Sequence, residues 1–235
     1  MVESMLAFFL RAQSDRSIRC IVLAGAGKHF MAGGDVKSFA LMAQQDAQER
    51  RQTFEVRINK GSQIFAVMQR LPQPVGCCVS GAVEGAGMGF VGASDLVITS
   101  DNATFVMAYV NIGVSLDAAT SYHLPRAIGL KRAKTMALMG RPIDAKTALE
   151  YGLVDWVVAE DELQSEAEKI ARTLASGPSV AIAQIKSLMN QSLNSTLAEQ
   201  LAAETVGMGV SAATEDFIEG PKSFLEKRKA RFQGR

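Results

Sequence analysis

The sequence predicts an α/β fold followed by a helical C-terminal region. Three short runs, "IRCIVLAGAG" (Ile18 to Gly27), "PVGCCVSGAV" (Pro74 to Val83) and "DLVITS" (Asp95 to Ser100), are rich in β-formers and show no alternation of apolar with polar residues. Strands of that kind are buried on both faces, which favours helices layered over a sheet. A helix-length stretch with apolar residues at helical spacing separates the first two runs. From Glu160 onward the chain is rich in Ala, Leu, Glu and Lys and is broken only at Gly177-Pro178 and Gly220-Pro221, as helices joined by short turns are. The expected division is an α/β core over 1–160, carrying the site, and a helical region over 161–235.

Taken in order, the run Met5 to Leu10 lies between Glu3 and Arg11 and reads as the buried face of a first helix. The strand at 18–27 ends in a loop of small residues, "GAGKHFMAGGDV" (Gly25 to Val36). In the connecting helix Phe54, Ile58, Phe65, Met68 and Leu71 share a face, with charges between them. The strand at 74–83 leads into a second such loop, "SGAVEGAGMGF" (Ser80 to Phe90), and the strand at 95–100 follows. "YGLVDWVV" (Tyr151 to Val158) is expected as the last strand, with Trp156 in the core.

Composition excludes several classes of function. The 235 residues carry 25 basic and 24 acidic side chains, net +1, so no overall field draws the chain to nucleic acid or a membrane surface. No stretch approaches the roughly 18 to 20 apolar residues of a membrane span. Cys20, Cys77 and Cys78 make no disulfide framework, and a reducing, cytoplasmic compartment is expected. His29 and His123 stand apart from any Cys or His spacing that binds zinc, so no metal is expected. His123 reads as a packed or capping histidine. The ending "KSFLEKRKARFQGR" has six basic residues against one acid, the pattern of a solvated helix end, and lacks the interleaved aromatics of a nucleic-acid surface.

Two features carry chemistry. The first is the pair of small-residue loops. Gly87 to Gly92 matches G-x-G-x-x-G, but that fingerprint needs an acid about 20 residues on, and here the next strand already starts at Asp95. Taken singly, each loop reads as a tight turn. Together they let backbone N–H groups approach a ligand, and a helix starting near Ala86 adds its positive end, so two converging N–H groups would form an oxyanion hole. The second feature is Asp117, the sole acid between Asp101 and Asp144, set in "GVSLDAATSYHLP". It reads either as a helix N-cap or as a functional carboxylate. Met88, Tyr109 and Tyr122 could line a pocket, although such residues more often fill a core.

The segments "GKHFMAGGDVKSF", "QPVGCCVSGAVEGAGMGFVGASDLVITSDNATF", "IGVSLDAATSYHLPRAIG" and "FLEKRKARFQGR" resemble, in sequence, order and spacing from about Ile18 to Arg235, the crotonase or enoyl-CoA hydratase/isomerase superfamily. The resemblance implies a spiral of ββα units, C-terminal helices that build a homotrimer or a dimer of trimers, an acyl-CoA thioester as substrate and no cofactor beyond the coenzyme A of that substrate. It implies oxyanion N–H groups at Gly34 and Ala86, with Ala32, Asp35 and Val36 as substrate contacts beside the pocket candidates Met88 and Tyr109. Phe224 and Lys227 would reach the coenzyme A adenine and phosphates, often from a neighbouring subunit. The residue at Glu84 usually packs outward from the catalytic face in this family, so no catalytic role is expected for it.

This sequence also departs from the family pattern. Related hydratases carry two glutamates where Gly89 and Tyr109 stand here, and neither replacement serves as a carboxylate near neutral pH. Asp117 falls where related isomerases and a dehalogenase carry a functional aspartate. The resemblance therefore implies a single-aspartate isomerase that converts a 3-enoyl-CoA to the 2-enoyl-CoA. The alternatives are a hydratase or another enolate reaction such as dehalogenation or ring opening, and a crotonase-fold scaffold that binds acyl-CoA without catalysis. Family members open with a strand pair ending in an "N-R-P-x-x-x-N-A-L"-like turn; the sequence before Val2 supplies none, so an exposed edge on the first sheet is expected.

Overall fold

The computed structural model describes residues 1–235, with the side chain of Val36 excepted. After helix α1 (Val2–Ser14) the chain repeats one motif. Strands β1 (Ile21–Ala24) and β2 (Met31–Ala32) are followed by helices α2 (Val36–Met42) and α3 (Ala47–Met68). Strands β3 (Val75–Val79) and β4 (Ala82–Glu84) lead to α4 (Ala86–Ala93). Strands β5 (Leu96–Ser100) and β6 (Thr104–Val106) lead through a 3-10 turn (Ala108–Ile112) to α5 (Thr120–Ile128) and α6 (Leu130–Met139). A last turn of the spiral holds β7 (Ile143–Asp144), α7 (Ala145–Tyr151) and β8 (Trp156–Val158).

In the first three repeats the first strand joins one sheet and the second joins another. The sheets have the orders β1-β3-β5-β8 and β2-β4-β6-β7. All pairings are parallel except β6 with β7. This is the ββα spiral of the crotonase fold. The absence of alternation in β3 has a direct cause: Cys77 faces the main core while Cys78 packs with Ile98, Leu163 and Ala167 on the opposite face. Side chains such as Phe9, Met68, Phe105, Met107 and Leu124 are fully buried, each worth roughly 1.5–3 kcal/mol of transfer free energy. Strand β1 pairs only with β3 and forms a sheet edge.

Two element boundaries differ from the sequence-based expectation. The run 74–83 is two strands in different sheets, because Gly81 turns the chain at φ +58° and a Cβ there would come within 2.3 Å of the Lys28 carbonyl oxygen. Tyr151 ends α7, so the last strand is only Trp156–Val158, and Trp156 is partly exposed at 40%.

The C-terminal helices are α8 (Leu163–Ala175), α9 (Ser179–Ser192), α10 (Leu197–Ala212) and α11 (Glu215–Leu225). Helix α8 returns to the outer face of the first sheet through Leu163 and Ala167. Helix α9 is fastened to the core by Lys186, whose buried Nζ donates to an Asp95 carboxylate oxygen at 2.7 Å and to the Gln73 carbonyl at 3.0 Å. Among the described residues no helix is long and apolar enough to cross a membrane.

Candidate active site

The parallel register of β2 and β4 places Met31 opposite Val83 and Ala32 opposite Glu84. Each strand then turns at a glycine of positive φ, Gly33 at +89° and Gly85 at +52°, a conformation that strains any residue with a Cβ. The turns touch, since a Cβ on Gly85 would lie 3.5 Å from the Gly33 Cα. Equal register and equal turns bring the next residues, Gly34 and Ala86, to the lining of one cavity. Ala86 is the first residue of α4, so its N–H has no intrahelical acceptor. Neither N–H has a protein acceptor among the described residues.

On the other side of β4 runs β6, whose continuation into the 3-10 turn buries Tyr109. The Tyr109 hydroxyl donates a 2.6 Å hydrogen bond to Asp117 Oδ1. Burial, and then the Asp117 carboxylate, push the Tyr109 phenol well above its ordinary value, so Tyr109 is a fixed proton donor in this pair.

Asp117 is not a side-chain helix cap. Ala119 takes the N-cap position of α5, and it is the Asp117 backbone carbonyl that accepts from Thr120 N (3.0 Å) and Oγ1 (2.7 Å). Ala118 and Ala119 both adopt left-handed conformations, φ +53° and +56°, uncommon for residues with a Cβ. Gly89 makes this turn possible: a Cβ there would fall 2.3 Å from the Ala118 carbonyl oxygen and 2.6 Å from its Cβ. The left-handed turn aims the Asp117 carboxylate at the Tyr109 hydroxyl and leaves it on the cavity wall.

The cavity so formed has a volume of about 330 Å³. Gly34, Ala86, Tyr109, Asp117, Ala32 and Glu84 line its polar end, and Phe39, Phe54, Ile58, Ile112 and Leu116 its apolar walls. The Phe39 and Phe54 rings pack with centroids 5.3 Å apart. No Lys, Arg or His is among the lining residues, and among the described residues no group of three or more His, Cys, Asp or Glu could hold a metal ion.

Five residues expected at the site thus line one cavity: Asp117, Gly34, Ala86, Ala32 and Tyr109. Others lie elsewhere. Met88 points into the core with no exposure, since two positions beyond Ala86 on a helix lies the far face. Asp35 caps α2, accepting from Ser38 N at 3.2 Å. The Val36 side chain lies outside the described residues. Phe224, 82% exposed, and Lys227 sit at the end of α11, away from this cavity. Tyr122 is not in the lining; its hydroxyl accepts from Asn194 and its ring lies under Arg126. His123, held below its ordinary value by burial and then by Arg126, packs edge-on against Tyr122.

The expectation that position 84 packs outward is corrected, because Glu84 lines the cavity. The signal was present in the sequence as strand alternation: with Val83 fully buried, the next residue of β4 must face the other way. Phe54 and Ile58 were legible only as helical residues and Phe39 carried no signal of its own; the course of α2 and α3 brings all three to the cavity.

The enoyl-CoA hydratase/isomerase family matches residues 1–235. The chain is 33% identical to the 1,2-epoxyphenylacetyl-CoA isomerase of Escherichia coli (strain K12), covering 96% of this chain and 85% of that protein. It is 32% identical to the trans-2-decenoyl-[acyl-carrier-protein] isomerase of Streptococcus mutans serotype c, covering 99% and 88%. A crystal structure of an enoyl-CoA hydratase from Polaromonas sp. JS666 superposes with a TM-score of 0.91 at 29% identity, covering 99% of this chain and 89% of that one. Two ββα turns that meet at Gly33 and Gly85, together with a match over the whole chain, make this protein a member of the enoyl-CoA hydratase/isomerase family, an acyl-CoA enzyme of the crotonase fold.

Proposed function

We propose that the protein shifts the double bond of a 3-enoyl-CoA to give the conjugated 2-enoyl-CoA, with Asp117 as the only base. The single observation that carries this reading is the Asp117 carboxylate on the wall of the cavity that Gly34 and Ala86 also line, fixed by Tyr109 at 2.6 Å. The Gly34 and Ala86 N–H groups hold the thioester oxygen and stabilise negative charge on it as the C2–H bond breaks. The proton passes to Asp117, and the electron pair spreads over the dienolate. Asp117 then gives the proton to C4 as the C4–H bond forms, leaving C2=C3 conjugated with the carbonyl. Electrons and protons balance within the substrate, so the step consumes no water, metal or redox partner.

Related hydratases hold their water with glutamates at the positions of Gly89 and Tyr109, and neither is present here. The other lining carboxylate, Glu84, leans toward Gly33 on the β2 side while Asp117 is tied to Tyr109, which supports a one-base reaction over a water held between two carboxylates. The homologous acyl-carrier-protein isomerase also supports a double-bond shift. The exposed apolar side chains of α9 to α11, among them Met189, Leu201, Met208, Ile218, Phe224 and Leu225, support a homotrimer or a dimer of trimers, which would also set Phe224 and Lys227 against a neighbouring chain. The test is conversion of a 3-enoyl-CoA followed by the absorbance of the conjugated product. Asp117→Asn is expected to lower kcat by about 10²–10⁴ with acyl-CoA affinity within a few-fold of wild type. Turnover by the variant at the wild-type rate would remove Asp117 from the reaction.

A further inference from the structure

Glu84 is the one lining carboxylate to which the double-bond shift gives no task. It extends from the end of β4, flanked in register by Ala32 on β2 and Val106 on β6. Its side chain leans toward β2: Oε2 lies 3.9 Å, and Cβ 3.6 Å, from where a Cβ on Gly33 would sit. Glu84 has no hydrogen-bond or ion-pair partner among the described residues, and no cationic side chain lines the cavity. Asp117, in contrast, is tied to Tyr109 on the β6 side. The two carboxylates therefore flank β4 on opposite sides, with the Gly34 and Ala86 N–H groups at the end of the β2–β4 pair.

A thioester whose oxygen is held at that pair has two arms. If the acyl arm runs to Asp117, as in the reading proposed above on which this inference rests, the sulfur arm leaves toward β2, across Gly33 and past Glu84. Glu84 is half-buried, so a ligand that displaces water from its carboxylate must bring a hydrogen-bond donor in place of that water. The pantetheine arm of an acyl thioester carries one, the amide N–H two methylenes beyond sulfur. We infer that Glu84 accepts a hydrogen bond from this amide N–H and so reads the thiol half of the substrate. Glu84 is a binding residue and takes no part in the proton transfer.

The test compares two small thioesters of one saturated acyl group: the N-acetylcysteamine thioester, which keeps the amide, and its S-(2-acetoxyethyl) counterpart, in which an ester oxygen replaces the N–H. Each is titrated against the protein by calorimetry, and the ratio of affinities is the readout. A hydrogen bond to a charged acceptor predicts that wild type prefers the amide by about ten- to a hundredfold. Glu84→Gln should shrink that ratio and Glu84→Ala should bring it near one, with Asp117→Asn leaving it unchanged. Acyl-CoA binding and the circular dichroism spectrum report whether each variant is folded. An amide-to-ester ratio that Glu84→Ala leaves intact, or wild type with no preference, would overturn the assignment. The readout needs no turnover, so loss of the isomerase reading would show separately in the Asp117 assay.

Discussion

Gly89 and Ala118 are one device at the scale of single residues. The family's hydratase glutamate is absent at position 89, and the space its Cβ would need is occupied by the Ala118 carbonyl at 2.3 Å. Gly89→Ala or Gly89→Glu should therefore destabilise the fold by about 2–3 kcal/mol through overpacking against backbone, read as a fall in the urea midpoint. Gly89→Glu should bring no gain in hydration of a 2-enoyl-CoA.

Tyr109 carries a pH signature. Its folded-state proton is held above the ordinary tyrosine value, so the folded protein binds that proton more tightly than the unfolded chain does. The stabilisation is complete below about pH 10, where a free tyrosine ionises, and is lost as pH rises beyond it. A spectrophotometric titration should find one of the three tyrosines resisting ionisation, and Asp117→Asn should release it toward the ordinary value.

Asp117 was legible as a lone acid, but its choice between cap and cavity was not. That choice depends on two consecutive left-handed alanines, for which the sequence carries no glycine signal. Met88 was legible as a residue of pocket or core, and its place on the buried face of α4 makes it core.

At the scale of elements, the site is a product of register. Because β2 and β4 run parallel with Ala32 opposite Glu84, two unrelated loops end in the same turn and bring Gly34 and Ala86 to one cavity. Both loops were readable as small-residue turns after strands. Glu84 was set aside because the family residue there packs outward, although alternation along β4 beside the buried Val83 turns residue 84 toward the cavity.

The helical region joins the core through a part-buried ion pair: Asp95 sits just before β5, accepts from Val75 N at 2.7 Å and meets Lys186 of α9. Lys186→Ala would leave that carboxylate without its cation and should cost about 3 kcal/mol, measured by thermal unfolding. A loss confined to α9 and α10, seen by hydrogen exchange, would show the helical region unfolding apart from the core.

At the scale of the molecule, the spiral sends first strands to one sheet and second strands to the other, so the ends of the second sheet gather the site. The fold class was readable from unalternating strands and a helix-rich tail, but the two-sheet sorting was not, since it depends on turns such as Gly81. The apolar faces left on α9, α10 and α11 belong to this scale. Sedimentation should give a mass of three or six chains, and an isolated monomer at micromolar concentration would contradict the assembly.

The central claim is that one carboxylate moves one proton from C2 to C4 of the substrate. Its most direct measurement is turnover of a 3-enoyl-CoA carrying deuterium at C2, with the product read by mass spectrometry and NMR. Transfer by Asp117 predicts deuterium at C4 of the 2-enoyl product, and product formation by Asp117→Asn slowed by about 10²–10⁴. Product whose new C4 hydrogen comes wholly from solvent, formed equally well by Asp117→Asn, would contradict it.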